Sequence, residues 1–181
     1  QWQQWFEGND IPLLQAALEA LPAQGPTPWK RLAQLLLVPE LRGHARDALR
    51  RCAQHAPDEL VALCHDANLP ARHRAQLVRL FGEIDHDHVF AALLELAMTP
   101  HNRVRGAAVS ALLNRRRHFR VEPIDSDTVD TGLTTEIGAA EVRHSQVQQL
   151  GEGDDGLLIE ALEQRRSQSL DRALMWCDLG H

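Results

Sequence analysis

HVFAALLELAMTPHNRVRGAAVSALL, residues 88–113, reads as two helices joined by a proline turn. Val89, Phe90, Leu93, Leu94 and Leu96 line one apolar stripe, Thr99-Pro100-His101 interrupts it, and a second run continues from Asn102 to about Arg115. Arg105 in that second run has counterparts at Arg42 and Arg74, and the three runs open at Pro39, Pro70 and Pro100. From each arginine the runs match column by column. A small residue comes next (Gly43, Ala75, Gly106), an apolar one at the third step (Ala45, Leu77, Ala108) and another at the seventh (Leu49, Phe81, Leu112). Self-similarity at about 30 residues marks a stacked helical solenoid, whose units bury their apolar faces only against neighbours.

The 181 residues are 44% hydrophobic and 24% charged, enough for one core or one short stack of repeats. Leucine and alanine dominate, tyrosine is absent, and β-branched residues rarely cluster before Val121, which favours helix over sheet. A net charge of −6 supplies no global positive field to recruit nucleic acid or an acidic membrane surface. Every basic residue except Lys30 is Arg, the better bidentate partner for carboxylate or phosphate. Cys52, Cys64 and Cys177 are odd in number and far apart, so they read as reduced core thiols, not as a disulfide frame or a zinc site. No apolar run reaches the roughly 18 residues of a membrane span. QWQQWFEG lacks the pattern of a signal peptide, and a start at Gln1 without Met reads as a piece of something longer.

Turn residues divide the chain. Asn9 or Asp10 caps a first helix from about Ile11 to Leu21 whose stripe is Leu13, Leu14, Ala17, Leu18 and Leu21, with Pro12 in its first turn. AQGPTP breaks it, and a second helix with Leu32, Leu35 and Leu36 runs from Pro28 to Pro39. Further helices are expected at about Glu40 to His55, from Pro57 through Cys64, from Ala71 to Ile84, from Asp85, and from Asn102 to Arg115. After VEPIDSD a long helix carries Val129, Leu133, Ile137, Ala140, His144, Val147 and Leu150. GEGDDG then precedes a last helix with Leu157, Leu158, Ala161, Leu162, Leu170, Ala173, Leu174 and Cys177.

Val104-Arg105, Ala108 and Ala111-Leu112 after a leucine-rich helix and a proline turn resemble the HEAT-repeat family, and Leu41-Arg42 and His73-Arg74 hold the Val-Arg place more loosely. The resemblance covers about Pro28 to Asn114. It departs at the inter-helix turn, where the family often has Asp and this chain has Leu36, Asn68 and Thr99, so no continuous Asp-Arg ladder is expected. Leu157-Leu158, Ala161-Leu162, Arg165-Arg166, Leu170 and Ala173-Leu174 resemble the closing helix of the HEAT segment in a bacterial family of transporter-like proteins. That likeness implies a place on the cytosolic side of a larger membrane protein. The glycines of the small column, Gly43 and Gly106, weaken a helix by about 0.5–1 kcal/mol relative to alanine, so a close helix crossing is expected there.

Catalytic, cofactor and metal residues are not expected. Asp85-His86-Asp87-His88, with His65 and Asp66, is the densest metal-like group, yet adjacent residues at a helix start diverge, and Asp85 as an N-cap accounts for them. The run Arg115, Arg116, Arg117, His118, Phe119, Arg120 suits an anionic partner, but equally a helix C-terminus. On the second helices, Asp47, Arg79 and Ser110, then Arg51, Glu83 and Asn114, alternate in sign, unlike a phosphate-tracking ridge. Trp2, Trp5, Phe6, Trp29 and Trp176 are the candidate buried anchors.

The expected fold is all-α, a right-handed α-α superhelix with residues 1–27 as an N-terminal cap, 28–115 as about three repeats and 121–181 as a C-terminal helical pair, all in one domain. The expected function is a noncatalytic interaction scaffold, spacer or regulatory module, cytoplasmic or at the cytosolic face of the inner membrane, binding another protein or a neighbouring domain and no nucleic acid. Arg51, Arg79, Glu83, Asn114, Arg116 and Arg117 are the candidate partner-binding residues. The alternative is a small HEAT-like enzyme acting on nucleic acid or a cofactor, in the manner of a DNA glycosylase or a bilin lyase.

Overall fold

A computed structural model describes residues 6–119, 123–149 and 156–180. Among them the chain is all-α: α1 (Ile11–Ala20), α2 (Trp29–Leu35), α3 (Arg42–Ala53), α4 (Pro57–His65), α5 (Ala71–Phe81), α6 (Asp87–Ala97), α7 (Asn102–His118), α8 (Ser126–Gln149) and α9 (Gly156–Gly180). They form two compact units, Gln1–Phe119 and Arg120–His181.

Side-chain caps open α1, α6 and α8. Asp10 Oδ1 accepts the Leu13 amide at 3.0 Å at the start of α1. Asp125 does the same for Thr128 at 2.8 Å at the start of α8. The cap of α6 is His86, whose Nδ1 accepts the His88 amide at 3.3 Å, and not Asp85 as expected, because Asp85 turns to Arg115 instead. The second helix is shorter than its apolar stripe suggested: Pro39 disfavours helix at Val38, and the chain passes through tight turns before α3.

In the first unit, α2 packs on α3, α4 on α5 and α6 on α7, while α4 also touches α6 and α5 touches α7. The matched columns share this interior. Ala45, Leu77 and Ala108 are fully buried, as are Leu49 and Phe81, with Leu112 next to them. Arg42 Nε donates to the Leu36 carbonyl at 3.2 Å, and Arg105 to the Thr99 carbonyl at 3.1 Å, each reaching six residues back into the inter-helix turn. Main chain thus supplies the acceptor where no Asp is present. The middle arginine differs, since Arg74 Nε is buried with no hydrogen-bond partner.

The close crossing expected at Gly43 is absent: a Cβ there would meet nothing within 4 Å. The tight approach lies instead at Gly82, the C-cap of α5, where a Cβ would come within 2.9 Å of the Ala111 carbonyl oxygen.

The second unit is the α8–α9 pair. Its α8 interior comprises Val129, Gly132, Glu136 and Ala140, whereas Ile137 and His144, expected inside, are exposed. Two contacts set this rotation. The fully buried Trp176 fills the notch left by Gly132, where a Cβ would overlap the indole. One turn on, Glu136 Oε1 accepts from Arg172 Nε at 2.9 Å. Ser169, Arg172, Ala173, Trp176 and Leu179 face inward on α9, while Leu157, Leu158, Leu170 and Leu174 face out. Cys177 is exposed and not a core thiol; Cys52 and Cys64 are buried.

Candidate functional site

Polar side chains of the first unit reach across to a helix end 32 or 33 residues earlier. Arg51 donates to the Leu18 carbonyl at 2.8 Å and Asn114 to the Gly82 carbonyl at 3.4 Å, so two members of one column cap the ends of α1 and α5. Glu83, the third member, accepts from Arg46 of α3. These three expected partner-binding residues therefore act between helices. Arg79, Arg116 and Arg117 are exposed.

Arg115 leaves the basic run altogether. Its side chain is buried, donates to the Ile84 carbonyl and to Asp85 Oδ1 at 3.0 Å, and lies 5.8 and 5.3 Å from the ring centroids of Phe90 and Phe119. Burial lowers its affinity for a proton and Asp85 opposes that shift. Letters alone put it with its solvated neighbours; the signal that separates it is an acid 30 residues earlier, at the repeat distance.

The first helices are joined in the same way. Trp29 Nε1 donates to Glu59 Oε2, Lys30 Nζ lies 3.0 Å from Asp66, His88 Nδ1 lies 2.8 Å from Asp58 and His65 Nε2 lies 3.8 Å from Glu95. Asp58 and His88 sit at the starts of α4 and α6, and His65 and Glu95 near their ends, so these two helices run parallel. The hydrogen bond to Asp58 holds the His88 imidazolium above the ordinary histidine range. Asp66 lies below the usual carboxylate range, first through the Asn68 amide at 2.9 Å and then through Lys30. Among the described residues no group of three His, Cys, Asp or Glu side chains is placed to hold a metal ion. The Asp85 to His88 run is divided between Arg115, the α6 cap and Asp58.

One concavity among the described residues is an open groove of about 610 Å³ where α2 meets α4, lined by Pro28, Trp29, Lys30, Glu59, Leu63 and Asp66 among others. Its floor is apolar and its rim carries both charges. Arg31, at its edge, is occupied in holding the N-terminal segment, donating to the Phe6 carbonyl at 2.9 Å and the Gly8 carbonyl at 2.6 Å. Sequence reading singled out Trp29 as an anchor and weighed Asp66 only with the metal-like group; Lys30, Glu59 and Asp66 come together only once α2 lies on α4.

Of the other aromatic anchors, Phe6 and Trp176 are buried. Trp2, Trp5, Arg120, Leu150, Gly151 and Gly153 lie outside the described residues. No helix among the described residues is long and apolar enough to cross a membrane. Comparison with family models, with curated proteins and with solved structures returns no match for this chain.

Proposed function

We propose that the first unit is a HEAT-like stack of α-α hairpins, wound in a right-handed sense, that serves as a noncatalytic scaffold for another protein. The observation that carries this reading is the repetition of ties at one repeat's separation: Trp29 to Glu59, Asp58 to His88, and Asp85 to Arg115, each 30 residues apart. The polar residues that could have formed a reactive cluster are distributed along helix boundaries and joined to partners there. What remains open is the mixed-charge groove between α2 and α4, with an apolar floor that suits a peptide segment. The cytoplasmic setting, as part of a larger bacterial membrane protein, goes with this reading through the likeness of the C-terminal helix.

The test is selection of peptides from a random displayed library on the full chain, followed by affinity measurement by fluorescence anisotropy. Lys30→Glu and Ala62→Arg, both on the groove, are expected to weaken selected peptides at least about tenfold. Affinities unchanged in both variants would remove the groove from the proposal. Saturable, strongly salt-dependent DNA binding by the chain would favour the nucleic-acid enzyme instead.

A further inference from the structure

The α8–α9 pair buries charged and polar side chains beside its apolar ones and leaves leucines exposed. Its interior holds Glu136, Arg172 and Ser169, with Arg143 reaching in to Ser169, whereas Leu170 and Leu174 stand 41% and 66% exposed on α9. Leu170 and Leu174 are one helical turn apart, and Leu170 continues a row along α9 that borders α8 and has exposed members.

The row reads the same in both directions. Ile159, Glu163, Arg166 and Leu170 are spaced four, three and four residues apart, which puts them on one side of α9 at about 100° per residue. Ile159 and Arg166 are half-buried, and Glu163 and Leu170 exposed. Such spacing is that of the a and d positions of a heptad. Reversing a second α9 about a two-fold axis between Gln164 and Arg165 sets Ile159 of one copy beside Leu170 of the other, and Glu163 beside Arg166. Symmetry makes each layer occur twice, so two apolar layers flank two ion pairs.

We propose that the second unit pairs with a second copy of this chain through this row of α9, antiparallel, in this register. Charge selects the occupant. A parallel copy would set Glu163 against Glu163 and Arg166 against Arg166. An anionic bilayer would meet Glu160, Glu163, Asp171 and Asp178 along the helix, with Arg165 and Arg166 as the opposing cations, a poor match for a polybasic lipid-binding pattern. Only the antiparallel copy places opposite charges together and keeps the central layer polar, the device that sets register in paired helices. Arg166 also meets His144 of α8 at 3.2 Å, so the row lies at the α8–α9 border.

The experiment is sedimentation velocity of the full chain over a range of concentrations, with circular dichroism to show that each variant keeps its helicity. A monomer–dimer equilibrium is expected. Glu163→Arg should raise the dissociation constant at least about tenfold by turning two attractive pairs repulsive, and adding Arg166→Glu to it should restore the affinity. Leu170→Gln, conservative in helix propensity, should weaken the dimer without rescue by the charge swap. A chain that stays monomeric at every concentration, or a dimer indifferent to Glu163→Arg and Leu170→Gln, overturns the proposal. So does co-sedimentation of a monomer with phosphatidylserine vesicles that Leu170→Gln abolishes.

Discussion

Arg172 Nε lies 2.9 Å from Glu136 Oε1, and the two side chains are 9% and 0% exposed. A pair so enclosed has lost water on both sides, so removing Glu136 leaves the Arg172 charge without its anionic partner, although the Ser169 hydroxyl still accepts from it at 2.9 Å. Glu136→Ala is expected to destabilise the second unit by about 3–5 kcal/mol, while replacing both residues with leucine and methionine should lose much less. Urea unfolding of the two variants, followed by circular dichroism, measures the difference; equal losses would show that packing and not charge dominates.

Two glycines of α8 should respond oppositely to alanine. At Gly132 the new methyl group overlaps Trp176, so Gly132→Ala should cost about 1–3 kcal/mol or more through overpacking. At Gly138 a Cβ meets nothing within 4 Å, and the same change should stabilise the helix by about 0.5–1 kcal/mol. Thermal melts that move in the same direction for both would contradict the placement of Trp176.

The thiols should separate by reactivity. Burial pushes the Cys64 thiol far above the usual cysteine range and raises that of Cys52, so neither offers thiolate at neutral pH. Cys177 is exposed. Titration of the folded chain with a disulfide reagent is therefore expected to label one cysteine rapidly, and the other two only in denaturant. Rapid labelling of all three in the absence of denaturant would place the first-unit cysteines outside the core.

His88 gives the α4–α6 boundary a pH dependence of known sign. Its pKa is raised by the hydrogen bond and charge of Asp58, with Asp87 adding to the effect and slight burial opposing it. The stabilisation from this contact is full below the ordinary histidine pKa of about 6.5 and fades as pH rises through the elevated folded value. The imidazole resonances of His88 should titrate above those of an ordinary histidine, and Asp58→Asn should bring them down. No change in that variant would mean the pair is not populated in solution.

Most helices of the first unit are legible because prolines punctuate the chain and leucines recur every third or fourth residue. Pro57 and Pro70 stand within a residue of the starts of α4 and α5, and the two apolar columns are buried where the pattern put them, while Gly43 of the small column is exposed. The face of α8 was not legible for a physical reason. Reading a stripe counts apolar letters, but Gly132 is buried to admit an indole and Glu136 to meet a guanidinium, so the true interior contains residues that such a count assigns to water. The same blindness put Arg115 with a basic patch. Its partners, the Ile84 carbonyl and Asp85, lie in the connection between α5 and α6, and a main-chain acceptor has no letter of its own.

The bonds from Arg42 and Arg105 to carbonyls six residues upstream have a consequence for how freely this architecture can drift. Every amino acid carries a carbonyl, so the bond imposes no demand on the side chain at Leu36 or Thr99. Thr99, half-buried, can therefore vary while the guanidinium stays, whereas Leu36 is held by its own burial and not by the bond its carbonyl accepts.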